Sequence, residues 1–132
     1  LKSVKSINYY VQQLYGHNAG THVLKTAENK VPLTGQEGIY ASSALDKKKN
    51  EIILKIANVS NEKRTLNYTF TGLKKGERKV THTILTSADA DIENTLERPD
   101  AVVPSIKSLS QKDSAFEVEI APRSFNVYVI KL

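Results

Sequence analysis

The sequence predicts an all-β protein: an antiparallel β-sandwich or jelly roll of about eight short strands, preceded by one N-terminal helix. Three observations point there. Apolar residues recur at three- and four-residue steps only near the N-terminus, up to Tyr15. Beyond Gly20 the period drops to two, with apolar and polar side chains alternating over short stretches. Glycine, proline, asparagine and charged clusters separate those stretches.

The helix is expected over residues 3–15, where Val4, Ile7, Val11, Leu14 and Tyr15 form one stripe and Tyr9 and Tyr10 widen it. Gly16 and Asn18-Ala19-Gly20 end it. Its apolar stripe must be buried, either on the sheet that follows or on a neighbour. Residues 22–25 read as a short extended piece and 28–38 as a loop holding Pro32, Gly35 and Gly38. Strands are expected at 39–45 and 51–59, joined by a polar turn over 46–50. In the second of these both faces are partly apolar, the mark of a central strand. Residues 64–71 alternate cleanly, Leu66, Tyr68 and Phe70 against Asn67, Thr69 and Thr71. A strand over 79–86, a long loop over 87–104 and a weak strand over 106–109 come next. Phe116, Val118 and Ile120 mark another strand. Phe125, Val127 and Val129 mark the last, with Tyr128, like Tyr40, placed outward.

The 132 residues fit one domain, and 39% hydrophobic with 25% charged residues is a globular balance. The chain begins at Leu1 and has no methionine, which reads as a piece of a longer protein with no visible signal peptide. No apolar run approaches the roughly 20 residues that cross a bilayer, so no membrane partner is expected. The absence of cysteine excludes disulfides and thiolate metal sites. The formal net charge of +5 is scattered over small groups such as Lys47-Lys48-Lys49 and Lys74-Lys75, at turns and strand edges. Lysines there discourage edge pairing, and no nucleic-acid partner is expected.

Candidate chemistry is sparse. Asp89, Asp91 and Glu93 lie at every second position, but a calcium loop supplies more oxygens and a placed glycine, so they read as solvated or capping acids. Glu117 and Glu119 share the polar face of one strand, with nothing nearby to raise either pKa. His17, His22 and His82 lie on different elements without metal-ligand spacing. No nucleophile elbow or phosphate loop occurs. No cofactor, metal site or catalytic residue is expected. Asn94 and Thr95 are the most notable polar pair, expected to bond backbone and hold the long loop in shape.

Several segments together resemble one family. Residues 38–46 (Gly-Ile-Tyr-Ala-Ser-Ser-Ala-Leu-Asp) and 51–58 (Glu-Ile-Ile-Leu-Lys-Ile-Ala-Asn) resemble successive strands of the C-terminal domain of family-51 α-L-arabinofuranosidases, and Gly72-Leu73-Lys74 resembles the next connection. Residues 91–104, with Glu93-Asn94-Thr95, Pro99 and Val102-Val103-Pro104, are similar to that family's Glu-Asn-Thr … Pro … Val-x-Pro motif. Ile92 departs from it, since the family often has alanine there. Residues 121–127 resemble its closing strand, and residues 8–15 look like the last helix of its catalytic barrel.

The resemblance covers about residues 6–132. It implies a parent enzyme that releases terminal α-L-arabinofuranosyl groups from arabinan and arabinoxylan with retention. Retention needs two carboxyl groups about 5–5.5 Å apart. In this family both are barrel glutamates that precede the last helix, so this chain is expected to carry neither. Residues 1–20 are then the tail of the barrel and 21–132 the sandwich. The implied partners are the chain's own barrel and a homo-oligomer, with polysaccharide met only through the barrel. Tyr9, Tyr10, Gln13 and Tyr15 are expected to face the barrel. Glu93, Asn94 and Thr95 are candidates to touch the barrel or an oligomer neighbour. Polysaccharide degraders are commonly exported, so an extracytoplasmic location is favoured. The alternative is a carbohydrate-binding module, disfavoured because the chain has no tryptophan and only nine aromatic residues.

Overall fold

Residues 2–132 are described by the structure, a computed structural model. Helix α1 (Ile7–His17) comes first, followed by β1 (His22–Leu24), β2 (Ala27–Glu28) and β3 (Val31–Pro32). A single 3-10 turn, Gln36–Gly38, leads into β4 (Ile39–Asp46) and β5 (Glu51–Asn58). Then come β6 (Arg64–Thr69), β7 (Arg78–Thr86), β8 (Ser105–Gln111), β9 (Ala115–Ile120) and β10 (Ser124–Lys131). The all-β reading holds, with one N-terminal helix.

The helix starts later than its apolar stripe suggested. Ser6 is extended and its Oγ accepts the Tyr9 N–H at 3.1 Å, so the cap sits at Ser6 rather than before Ser3. At the other end Asn18 donates from Nδ2 to the Leu14 carbonyl at 2.8 Å, which carries the helix through His17. The β2–β3 hairpin begins at Ala27, one residue before the expected 28–38 loop, and otherwise falls inside it. Two-residue strands are too short to show a period.

Six strands form one antiparallel sheet in the order β1-β4-β5-β10-β7-β8. A second layer, the β6-β9 pair, covers one face of it. Sequence alternation fixes which residues meet. Ile52, Leu54 and Ile56 of β5 and Tyr128 and Ile130 of β10 join Val118 and Ile120 of β9, with Leu66, Tyr68 and Phe116 packed around them. The opposite parity of the two middle strands, Ile53, Phe125 and Val127, points to the other face, where α1 lies.

The central position expected for β5 is therefore occupied, and β10 shares it: both strands are buried on both faces. Tyr128 is the correction. Expected outward, it is 1% exposed and stacks on His82 with ring centroids 4.2 Å apart. The same parity buries Asn126, which donates to the Ile56 carbonyl and to Ser124 Oγ while its Oδ1 faces His82 Nε2 at 2.9 Å. A buried amide is tolerated because each polar atom is paired. Burial lowers the His82 pKa. The Asn126 bond works against that, and Lys107 on β8, its cross-strand partner, works with it. Burial likewise pushes the Tyr128 hydroxyl up to about 12.

One glycine is required where β4 begins. Gly38 has φ 80°, and a Cβ there would lie 2.8 Å from the Ser60 Cβ. Its carbonyl accepts the Val59 N–H at 2.9 Å, which sets the path of the chain as it leaves β5.

An apolar cleft beside the helix

Helix α1 covers its face of the sheet only in part. Ile7, Tyr10, Val11 and Leu14 pack on Ile53, Leu85, Phe125 and Val127, so the sheet is the surface that buries the stripe. Beside this contact, where β5 and β7 end and β10 begins, lies an open cleft of about 510 Å³. Ile7, Val11 and Tyr15 form its helical wall. Ala57, Leu85 and Phe125 form the floor, and Ile92 and Val102 of the long loop form the far wall. Val59 reaches it from the chain just beyond β5 and is 63% exposed.

The lining is held from both sides. Tyr15 stacks on Phe125 at 5.0 Å, and Lys55 Nζ lies 4.8 Å from the Tyr15 ring centroid. Partial burial lowers the Lys55 pKa. On the rim, Arg123 donates to Asn61 Oδ1 at 3.1 Å and to the Ala88 carbonyl at 2.6 Å, tying the long loop to the turn after β5. Asn94 is the pin of that loop. It donates to the carbonyls of Val102 at 2.8 Å and Lys5 at 2.9 Å, and accepts the Val102 N–H at 2.7 Å. One buried side chain thus fixes the loop to itself and to the segment entering α1. Thr95 closes a local turn: its Oγ1 accepts the Arg98 N–H at 3.1 Å.

The other candidate residues divide. Tyr10 and Tyr15 turn toward the sheet, whereas Tyr9 is exposed, its hydroxyl 3.3 Å from Gln13 Nε2. Glu93 is exposed. Asp89 Oδ1 accepts the Asp91 N–H at 3.0 Å, a turn contact. Glu117 and Glu119 lie exposed on β9, where Glu119 meets Lys63 at 3.3 Å. Among the described residues no three His, Cys, Asp or Glu side chains converge as a metal site. No helix there is long and apolar enough to cross a membrane. Sequence reasoning missed the cleft because its walls come from five separated segments. One signal was present: Ile92 is apolar within a polar stretch.

Asp89 is the single carboxylate among the residues lining the cleft. A retaining glycosidase needs a pair.

The comparisons with known proteins agree with this architecture. An arabinose-bound α-L-arabinofuranosidase, MgGH51, superposes with a TM-score of 0.81 at 21% identity, over 97% of this chain and 20% of its own. The α-L-arabinofuranosidase of Thermotoga maritima in its arabinose complex gives 0.80 at 17% identity, over 98% of this chain and 30% of its own. The GH51 arabinofuranosidase of Xanthomonas axonopodis pv. citri gives 0.73 at 19% identity, over 97% and 27%. At such identities the likeness shows the fold, and this chain spans at most 30% of the length of these structures. No curated protein matches the chain in sequence. The family model for the alpha-L-arabinofuranosidase C-terminal domain matches residues 1–124, and the chain belongs to that family.

Proposed function

We propose that this chain is the non-catalytic C-terminal accessory domain of a retaining α-L-arabinofuranosidase, and that it packs on and stabilises the enzyme's catalytic barrel. The observation that carries the reading is the family match over residues 1–124. In this reading the two catalytic glutamates and the polysaccharide site belong to the barrel. Helix α1 is its last helix and the joint between the two bodies. Tyr9 and Glu93, which are exposed, and the half-buried Gln13 contribute contacts on the barrel side.

The test compares hydrolysis of p-nitrophenyl α-L-arabinofuranoside by the 132-residue chain and by the same chain joined to its barrel. Turnover is expected from the joined protein only. Turnover by the isolated chain would sink the reading and return attention to Asp89, Asp91, Glu93, Glu117 and Glu119.

A further inference from the structure

We infer that the lysine-rich end of the sheet binds an acidic polysaccharide, a chain bearing uronate carboxylates, at a contact separate from the site that cleaves it. The inference rests on the accessory-domain reading above and adds a substrate class to it. The neutral arabinofuranosyl group goes to the barrel, and the charge of the chain that carries it is met here.

Strand order makes the surface. Residues 46–51, 70–79, 111–114 and 131–132 meet at one end of the six-stranded sheet. Glu51 pairs with Asp46 on one side and with Lys131 on the other, Ile130 pairs with Val80, and Arg78 pairs with Gln111. The Gly76 N–H reaches the Lys112 carbonyl at 3.3 Å, and the Leu132 N–H reaches the Asn50 carbonyl at 3.0 Å. These four segments hold nine basic and four acidic side chains, and the rest of the chain holds ten of each. The net charge of +5 is therefore the charge of this end, although its lysines are far apart in sequence. Two of the acids are occupied: Asp46 is buried and its Oδ1 accepts the N–H groups of Lys48 and Lys49 at 3.0 Å each, and Glu51 is buried against Lys131. Lys47, Lys48, Lys49, Lys74, Lys75 and Lys112 are exposed, and among the described residues none of them makes an ion pair. The row runs from the β4–β5 turn to the end of β8, about 14–19 Å at ~4.8 Å per strand, so one extended chain can meet several of these charges.

The chemistry selects among polyanions. Nucleic acid is held by aromatic stacking on single strands or by an element that enters a groove. The single aromatic residue in these segments, Phe70, is half-buried against Phe116 in the core. Arg78, the one guanidinium, donates to the carbonyls of Gly76 at 3.1 Å and Lys74 at 2.6 Å, so it shapes its own loop. A membrane surface calls for apolar side chains beside the lysines, and of the large apolar residues in these segments only Leu132 is exposed. A neutral sugar has no charge to answer, and the aromatic platform it stacks on is absent here. Lysines on short turns are mobile point charges, suited to carboxylates spaced along a flexible chain. The opposite end repels such a chain, since Asp89, Asp91, Glu93, Glu97 and Asp100 lie exposed on the long loop that follows β7.

The experiment uses the joined enzyme, with linear polygalacturonate as the probe and neutral linear arabinan beside it. Binding is measured by calorimetry at about 0.01 M and about 0.15 M salt, where the screening length falls from about 30 to about 8 Å. Lys48→Glu with Lys75→Glu reverses two charges at the basic end. Arg98→Glu with Lys107→Glu makes the same change in net charge at exposed positions elsewhere. The first pair is expected to weaken polygalacturonate binding about tenfold or more at the lower salt, and the second less than about twofold. Arabinan binding and hydrolysis of p-nitrophenyl α-L-arabinofuranoside should stay as in the parent. Equal losses from the two pairs would assign binding to net charge and overturn the inference. So would a parent that does not bind polygalacturonate at the lower salt, or a matching loss of arabinan binding. Tighter binding of a double-stranded oligonucleotide, or of phosphatidylserine vesicles, than of polygalacturonate would give the surface to another partner and overturn it as well. In each of these cases a parent that hydrolyses the nitrophenyl substrate leaves the accessory reading standing. A joined parent without hydrolysis would remove that reading, and this inference with it.

Discussion

The two faces of the six-stranded sheet are finished to different degrees. On one, the β6-β9 pair lies across β5 and β10, and Leu54, Ile56, Tyr128 and Ile130 are all at or below 1% exposure. On the other, an eleven-residue helix covers Ile53 and Val127, but Tyr15 and Val59 remain open to water. The difference follows from geometry. A second sheet layer presents a broad surface with every second side chain pointing at the first. A short helix presents a stripe, and the rest of the face needs a loop or a partner. The first face is covered mainly by a second layer of strands, and the second is left partly open beside the helix.

Substitutions on the two faces break this comparison at different strengths. Leu54→Ala removes a fully buried side chain between the layers and should cost about 2–5 kcal/mol. Val11→Ala, at the half-buried helix contact, should cost about 1 kcal/mol. Urea unfolding of both variants checks the order, and equal losses would mean that the helix face is packed as tightly as the sandwich. Asn94→Ala should cost about 1–3 kcal/mol because the Val102 N–H loses its acceptor inside the protein. Its signature is local: exchange should rise over 87–104 and at the start of α1 before the sheet opens.

The smallest effect is a pH dependence, and it belongs to the completed face. The folded pKa of His82 lies below its ordinary value of 6.5, so the unfolded chain binds its proton more readily. Its contribution is present above pH 6.5 and is lost as pH falls through the folded value. Melting curves at pH 7.5 and 5 should show a larger drop for the parent than for His82→Asn. An equal drop would assign the acid sensitivity to carboxylates alone.

Legibility in the sequence followed the same division. Leu66 and Tyr68, with Phe70 just beyond the strand, revealed the inward face of β6 because its outward face is polar. The two apolar parities of β5 revealed a central strand. β10 shares that position, but Asn126 and Tyr128 carry polar atoms and looked like an outer face. Their burial depends on His82 of β7, brought beside them by strand order, and strand order is not written in local alternation. The cleft was hidden for a related reason, since Ile7, Val59, Ile92 and Phe125 have no common period. The resemblance supplied the family. It did not reveal that Asn94 pins the long loop to the entry of the helix.

The placement of β10 bears on how the domain is made. Its Lys131 meets Glu51 across 80 residues of chain, and along its length it joins β5 to β7. The β4–β5 hairpin therefore leaves the ribosome with the β5 backbone unpaired along the edge that β10 later occupies. It waits through the synthesis of about 70 further residues, roughly 4–14 s at ~5–20 residues per second. The last of these ten strands to be made enters the middle of a sheet whose halves were made before it. This is a late and non-local closure, of the kind that makes folding slow. A nascent chain stalled a few residues before Ser124 would hold both halves of the sheet and nothing to join them.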